Sequence, residues 1–162
     1  MAKKIKTITA KQYQQQYASK GLSEEQEQAK LCDWLKLHYP NVLYTIDLGG
    51  VRMDAKTAAR VMKTRSKKGH PDMMIQEWFL DKYCGLAIEF KKTGEVVHNQ
   101  DGSLRSNDHL RSQYAYILAL KDRFWLAGFV CGVENAKAVI TAYLEGNSKS
   151  IETINKYIYP TI

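Results

Sequence analysis

Cysteine and proline are scarce, with three of each among 162 residues. Cys32, Cys84 and Cys131 stand about fifty residues apart and none belongs to a Cys-x-x-Cys pair. That excludes a zinc ribbon and a disulfide framework, and predicts reduced, buried thiols. No stretch approaches the roughly eighteen apolar residues of a membrane span. The lysine-bearing start, MAKKIKTITAKQYQQQYASKG, also lacks an apolar run of signal-peptide length. A cytoplasmic protein with no membrane partner is expected. Acid is the minority charge, 17 Asp and Glu against 24 Lys and Arg, for a net +7, which directs attention to an anionic partner. A chain of this length buries roughly two thirds of its unfolded surface, so neither disulfides nor a structural metal are needed for a core. The length and the 44% hydrophobic content fit one domain.

Residues 1–21, rich in Lys and Gln, read as a polar basic arm; 22–146 read as the folded domain, and 147–162 as a C-terminal tail packing on it. Ser23 followed by Glu24, Glu25, Gln26 and Glu27 is a helix N-terminus, with acids on the positive end of the dipole and Gln26 able to close a capping box. Leu31, Trp34 and Leu35 continue that helix at helical spacing until Tyr39 and Pro40 end it. A strand is expected over Val42–Ile46, then a loop through Asp47, Leu48, Gly49 and Gly50. Between Val51 and His70 the chain carries Arg52, Lys56, Arg60, Lys63, Arg65, Lys67 and Lys68 against the single acid Asp54. The basic character is therefore concentrated, and Ala55, Ala58, Ala59 and Met62 predict a short helix that turns Lys56 and Arg60 outward together.

Beyond Gly69, His70 and Pro71, two strands joined as a hairpin are expected over Asp72–Leu80 and Cys84–Lys92. A long loop, a helix over His109–Lys121, a buried strand over Phe124–Cys131 and a helix over Glu134–Leu144 ending at Gly146 complete the pattern. The order α, β, β, β, α, β, α predicts an α/β fold, a mixed sheet flanked by helices. Trp78, Phe79, Phe124 and Trp125 read as core, and His70 and His109 as structural.

Four features carry chemistry. Gly69-His70-Pro71-Asp72 places a carboxylate at a strand entrance. In Glu89-Phe90-Lys91 strand alternation sends Leu86, Ile88 and Phe90 to one face and Ala87, Glu89 and Lys91 to the other. That spacing equally fits a solvated ion pair. Gln113 lies in a helix whose apolar stripe is Leu110, Tyr114, Ile117 and Leu118. Glu24, with Gln28, continues the inward face of the first helix, whereas Glu25 and Glu27 read as outward. Together, carboxylates at Asp72, Glu89 and Glu24 with a lysine at Lys91 make a recipe for phosphodiester hydrolysis. Hard oxygen ligands suit Mg²⁺, and a lysine steadies the phosphate and its nucleophile.

The ordered set resembles the PD-(D/E)xK nuclease superfamily, and more narrowly its VRR-NUC branch. The likeness spans Ser23 to Gly146 and includes Gly49-Gly50-x-Arg52. It implies a restriction-endonuclease-like core and an endodeoxyribonuclease dependent on Mg²⁺ or Mn²⁺. In small stand-alone viral or phage members it implies a homodimer acting on branched DNA such as four-way (Holliday) junctions. By residue, it implies Asp72, Glu89 and Glu24 as metal residues, Glu24 being the helix acid near the metal, Lys91 as the catalytic lysine, and Gln113 as the orienting amide. Glu27 is the alternative helix acid. Arg52, Lys56, Arg60, Lys63, Arg65, Lys67 and Lys68 would contact phosphates. The competing readings are a non-catalytic nucleic-acid-binding module on the same fold, and an unrelated α/β domain in which Glu89 and Lys91 are a surface pair.

Overall fold

The computed structural model describes residues 23–47, 54–64, 67–147 and 149–161. The N-terminal arm, Gly49, Gly50, Arg52 and Arg65 lie outside the described residues, as does the side chain of Met62. Helix α1 (Glu24–His38) starts on the capping box that the sequence predicts: Gln26 donates its backbone N–H to Ser23 Oγ and accepts from the Ser23 N–H. Strand β1 (Tyr44–Ile46) and helix α2 (Ala55–Thr64) follow, then β2 (Met73–Ile75), β3 (Gly85–Lys91), α3 (Asp108–Lys121), β4 (Trp125–Cys131) and α4 (Val133–Glu145).

With a last strand, β5 (Ile158–Tyr159), the five strands of the described residues lie in chain order, β1 to β5. β1, β2 and β3 pair antiparallel, while β3 and β4 are parallel and joined through α3. α1 and α4 cover one face, where Leu31 and Leu35 meet Ile75, Leu86, Ile88 and Phe90. α3 covers the other, with Leu110 and Ile117 over Ala87, Ala127 and Phe129. Leu35 and Ile88 have no exposed surface, and each such side chain contributes about 1.5–3 kcal/mol relative to staying in water. The mixed α/β sheet between helices is thus as expected.

The segment expected as a tail forms structure of its own. Helix α5 (Ser150–Tyr157) packs on α4, and β5 (Ile158–Tyr159) adds an antiparallel edge to β4. Gly128 makes this possible, since an added Cβ there would lie 2.5 Å from Ile158 Cγ1.

Other expectations need correction. The first hairpin strand is only Met73–Ile75, because the chain leaves the ladder after Gln76 and turns through left-handed Leu80 and Asp81. Phe79 still reaches the core, stacking on Tyr83 and Tyr143, but Trp78 is 71% exposed. Phe124 takes φ +61° between α3 and β4 and is 68% exposed, so it too is not core. The three cysteines are free, as expected, but half-buried.

Candidate active site

Strand alternation on β3 delivers the key pair. Leu86, Ile88 and Phe90 enter the core under α1, while Glu89 and Lys91 emerge with Ala87 on the α3 side. The solvated-pair reading fails on burial, since Glu89 is 2% exposed and Lys91 5%. Lys91 Nζ donates to Glu89 Oε1 at 3.0 Å, and Gln113 Nε2 donates to the same oxygen from α3. Gln113 is held in turn by His109 one turn earlier, 2.9 Å from its amide nitrogen. With that nitrogen donating, His109 Nε2 is the acceptor.

Asp72 arrives from the neighbouring strand entrance. Its Oδ2 accepts the backbone N–H of Phe90 at 2.8 Å, which ties the carboxylate to the residue between Glu89 and Lys91. The entrance is fixed from behind. Gly69 sits at φ +83° against α3, where an added Cβ would lie 2.4 Å from Ser112 O and 2.7 Å from Gln113 N. Only glycine reconciles that backbone with so close an approach.

Two buried oxygens lack a partner among the described residues, Glu89 Oε2 and Gln113 Oε1. A buried acceptor without a donor costs about 1–3 kcal/mol, so a proton or a cation is called for at Glu89 Oε2. Burial, then the Asp72 charge, pushes the Glu89 carboxyl up to about 9. Burial also raises Asp72, against the Phe90 N–H and Lys91, which lower it. Burial opposes the charge on Lys91, but Glu89, Glu24 and Asp72 outweigh it and hold the ammonium above its ordinary value. Of the coupled pair, Lys91 keeps its proton and Glu89 is the group driven toward neutrality.

No family model and no curated protein matches the chain. A solved structure described as a VRR_NUC domain protein superposes with a TM-score of 0.59 at 23% identity, over 79% of this chain and 93% of that one. The chain has the VRR_NUC fold. On that fold the sheet and α3 bring together four of the five residues expected at the site, Asp72, Glu89, Lys91 and Gln113, by direct bonds or a shared strand end.

Glu24, the fifth, is half-buried at the start of α1, within electrostatic reach of Lys91 and Asp72; burial, more than any neighbour, raises its carboxyl. Glu27, read as outward, is instead 4% exposed. The stripe α1 buries is Glu27, Leu31 and Leu35 at four-residue spacing, so Glu27 shares the leucines' face. Its carboxylate is occupied, accepting from Thr93 Oγ1 at 2.7 Å and Thr93 N at 3.2 Å. This clamp fastens α1 to the end of β3. Glu27→Ala strands both donors and is expected to cost about 1–3 kcal/mol, a few degrees of melting temperature at about 2–4 °C per kcal/mol. Thr93→Ala should then add almost nothing in the Glu27→Ala background; strict additivity in a double-mutant cycle would count against the clamp.

The site also contains residues the sequence reading missed. Asp47, 14% exposed, follows Ile46 on β1, and its backbone N–H donates to Asp72 O. Its charge contributes to raising Asp72. The signal lay in strand pairing, since Ile46 faces Met73 and the next pair outward is Asp47 with Asp72.

The basic segment is only partly described. Lys56, Arg60 and Lys63 are exposed on α2, whose half-buried positions are Ala58 and Val61. Lys67 and Lys68 are also exposed, and Lys67 lines a cavity of about 150 Å³ with Tyr116 and Arg123, placing the end of the segment along α3. His70 packs its ring edge-on against Tyr116, with its Nδ1 3.7 Å from Asp47 Oδ2.

Proposed function

We propose that the protein is a metal-dependent DNA endonuclease that hydrolyses phosphodiester bonds, with Asp72, Glu89, Lys91, Gln113 and Glu24 as its catalytic set and a preference for branched DNA such as four-way junctions. The observation that carries the reading is the convergence of the buried Glu89 carboxyl, the half-buried Asp72 carboxyl and a charged lysine around an oxygen, Glu89 Oε2, that receives no hydrogen bond from a donor among the described residues. The VRR_NUC fold supports it.

The donor set fits Mg²⁺ or Mn²⁺. Both prefer hard oxygens and need only one or two carboxylates beside water and substrate phosphate. Among the described residues no three His, Cys, Asp or Glu side chains form a ligating cluster, so Asp72 and Glu89 would hold the ion and Glu24 would act from farther out. When bound, the ion supplies positive charge against the phosphate and acidifies water.

The chain's own residues do the rest. Lys91, kept as an ammonium, steadies a non-bridging phosphate oxygen and stabilises the charge that builds there, a role that does not require it to act as a base. Gln113 and Lys91 together fix the Glu89 carboxylate. Glu24 accepts the proton that the attacking water gives up as its oxygen bonds to phosphorus. The ester P–O bond then breaks, and the departing alkoxide is protonated by solvent. Lys56, Arg60, Lys63, Lys67 and Lys68 contact flanking phosphates without reading bases. A homodimer would place two such sites for two cuts on a two-fold-symmetric junction.

The test is cleavage of labelled four-way junction, linear duplex and single-stranded DNA in Mg²⁺, Mn²⁺ or EDTA. Cutting in both metals, none in EDTA, and a junction rate above the linear rate are expected. Binding of all three substrates with no cutting in any condition would favour the non-catalytic module instead.

A further inference from the structure

Beside the carboxylate site lies a cavity of about 500 Å³ that the mechanism above does not use. It opens between the loop after β3 and the C-terminal segment, lined by Glu95, His98, Phe129, Lys156, Tyr157 and Tyr159 among others. The cavity and the site share a wall. Phe129 pairs in register with Glu89 across the parallel β3–β4 ladder, and Lys91 Nζ sits 5.9 Å from the centre of its ring.

The lining is a graded series of aromatic faces. His98, exposed at the mouth, lies 4.9 Å centroid to centroid from Tyr159, whose ring is in turn 6.2 Å from Tyr114 and 6.4 Å from buried Phe129. The mouth is held in shape, because Tyr159 donates its hydroxyl to Gly102 O in the loop at 2.7 Å. Among the described lining residues the charges are an acid, Glu95, and Lys156, whose ammonium lies over the Tyr157 ring. These two offset each other and give a phosphate no net attraction. A flat, polarisable, uncharged group would meet the exposed ring of His98, backed by Tyr159, with the half-buried Tyr157 ring in the same lining.

We propose that this cavity is a subsite for the base of an unpaired nucleotide next to the scissile phosphate, stacked among His98, Tyr159 and Tyr157. The inference rests on the nuclease reading and deepens it by naming what the site selects. The volume falls within the roughly 300–1,000 Å³ range of small-molecule pockets, ample for a nucleotide. A paired base inside a duplex cannot enter without leaving its stack, so the subsite favours substrates that carry unpaired nucleotides at a branch point or flap.

The probe is a series of single-stranded oligonucleotides carrying 2-aminopurine at successive positions, bound to the full-length protein in EDTA so that none is cut. Quenching should concentrate at one position. His98→Ala should abolish that quenching and weaken single-strand binding by about tenfold, leaving linear duplex binding unchanged, since stacking is a large share of single-strand affinity. His98→Phe, which keeps the ring face and loses the imidazole nitrogens, should restore both. Melting temperatures report whether either variant is misfolded.

Uniform quenching at all positions, or His98→Ala quenching like wild type, overturns the subsite. So does a His98→Phe variant that behaves like His98→Ala. Junction cutting without any single-strand binding would sink the subsite and spare the nuclease reading; absence of both binding and cutting would sink both.

Discussion

Glu89→Gln is expected to abolish cutting and, in the absence of metal, to raise the melting temperature. Both effects follow from one side chain. Glu89 is 2% exposed, its Oε2 has no donor, and its carboxyl is pushed up to about 9 by burial and then by Asp72. At neutral pH the folded protein must therefore hold a proton there that the unfolded chain has released. Glutamine has the same shape and no charge to desolvate. Its carbonyl can still accept from Lys91 and Gln113, and its amide brings hydrogens to the oxygen-rich side of the site. Removing that penalty should be worth about 1–3 kcal/mol, or several degrees.

The cost falls on chemistry. Loss of a charged ligand or charge-stabilising group removes about two to three orders of magnitude from the rate, and more where the group also holds the ion. Lys91→Met gives the contrasting signature. It also loses cutting, but it lowers the melting temperature, because it takes a hydrogen-bond donor from buried Glu89 and the counter-charge from half-buried Asp72. Thermal melts beside single-turnover cleavage separate the two. A Glu89→Gln protein that cuts within tenfold of wild type, or that melts below it, would refute this account.

The pairing of Glu89 with Lys91 was legible in the sequence. A Glu and a Lys two apart at the end of an apolar strand must share a face, but that spacing fitted a solvated pair equally well, and only α3 lying over Ala87 and Ala127 shows the face to be buried. Asp72 was legible as a carboxylate that a Gly-His-Pro turn places at a strand entrance, and Gln113 as an amide in a helix with an apolar stripe. The capping box at Ser23 was legible because its chemistry is local.

What escaped was non-local. Glu27 looks like one more acid on the positive end of a helix dipole, and only Thr93, sixty-six residues away, gives its buried carboxylate a reason to point inward. Trp78 and Phe124 look like core by composition, yet the left-handed turns beside them send the rings outward. Strand β5 has two residues, too few for any alternation to register, and exists because Gly128 leaves room for Ile158. The aromatic cavity depends on the same edge, so its Tyr157 and Tyr159 read as scattered residues of a tail.

The second large effect is a pH dependence whose slope flattens when metal is added. The folded pKa of Glu89 is raised, to about 9 against 4.5 for the free side chain. Between those values the folded state binds more protons than the unfolded state, so stability falls as pH rises, and Glu89 contributes nothing to the slope below the lower value. Asp72 is raised as well and adds to the same trend. A divalent cation needs the deprotonated carboxylates, so its binding releases protons and its affinity climbs with pH, by up to tenfold per unit for each proton released. The protein without metal should therefore melt lower at pH 8.5 than at pH 6, while the rise in melting temperature produced by a fixed Mn²⁺ concentration should be larger at pH 8.5, since a ligand stabilises according to its concentration over its dissociation constant. Glu89→Gln should flatten the metal-free slope and remove most of the Mn²⁺ effect together. If the Mn²⁺ shift is the same at both pH values, or survives in Glu89→Gln, the ion is binding somewhere other than between Asp72 and Glu89.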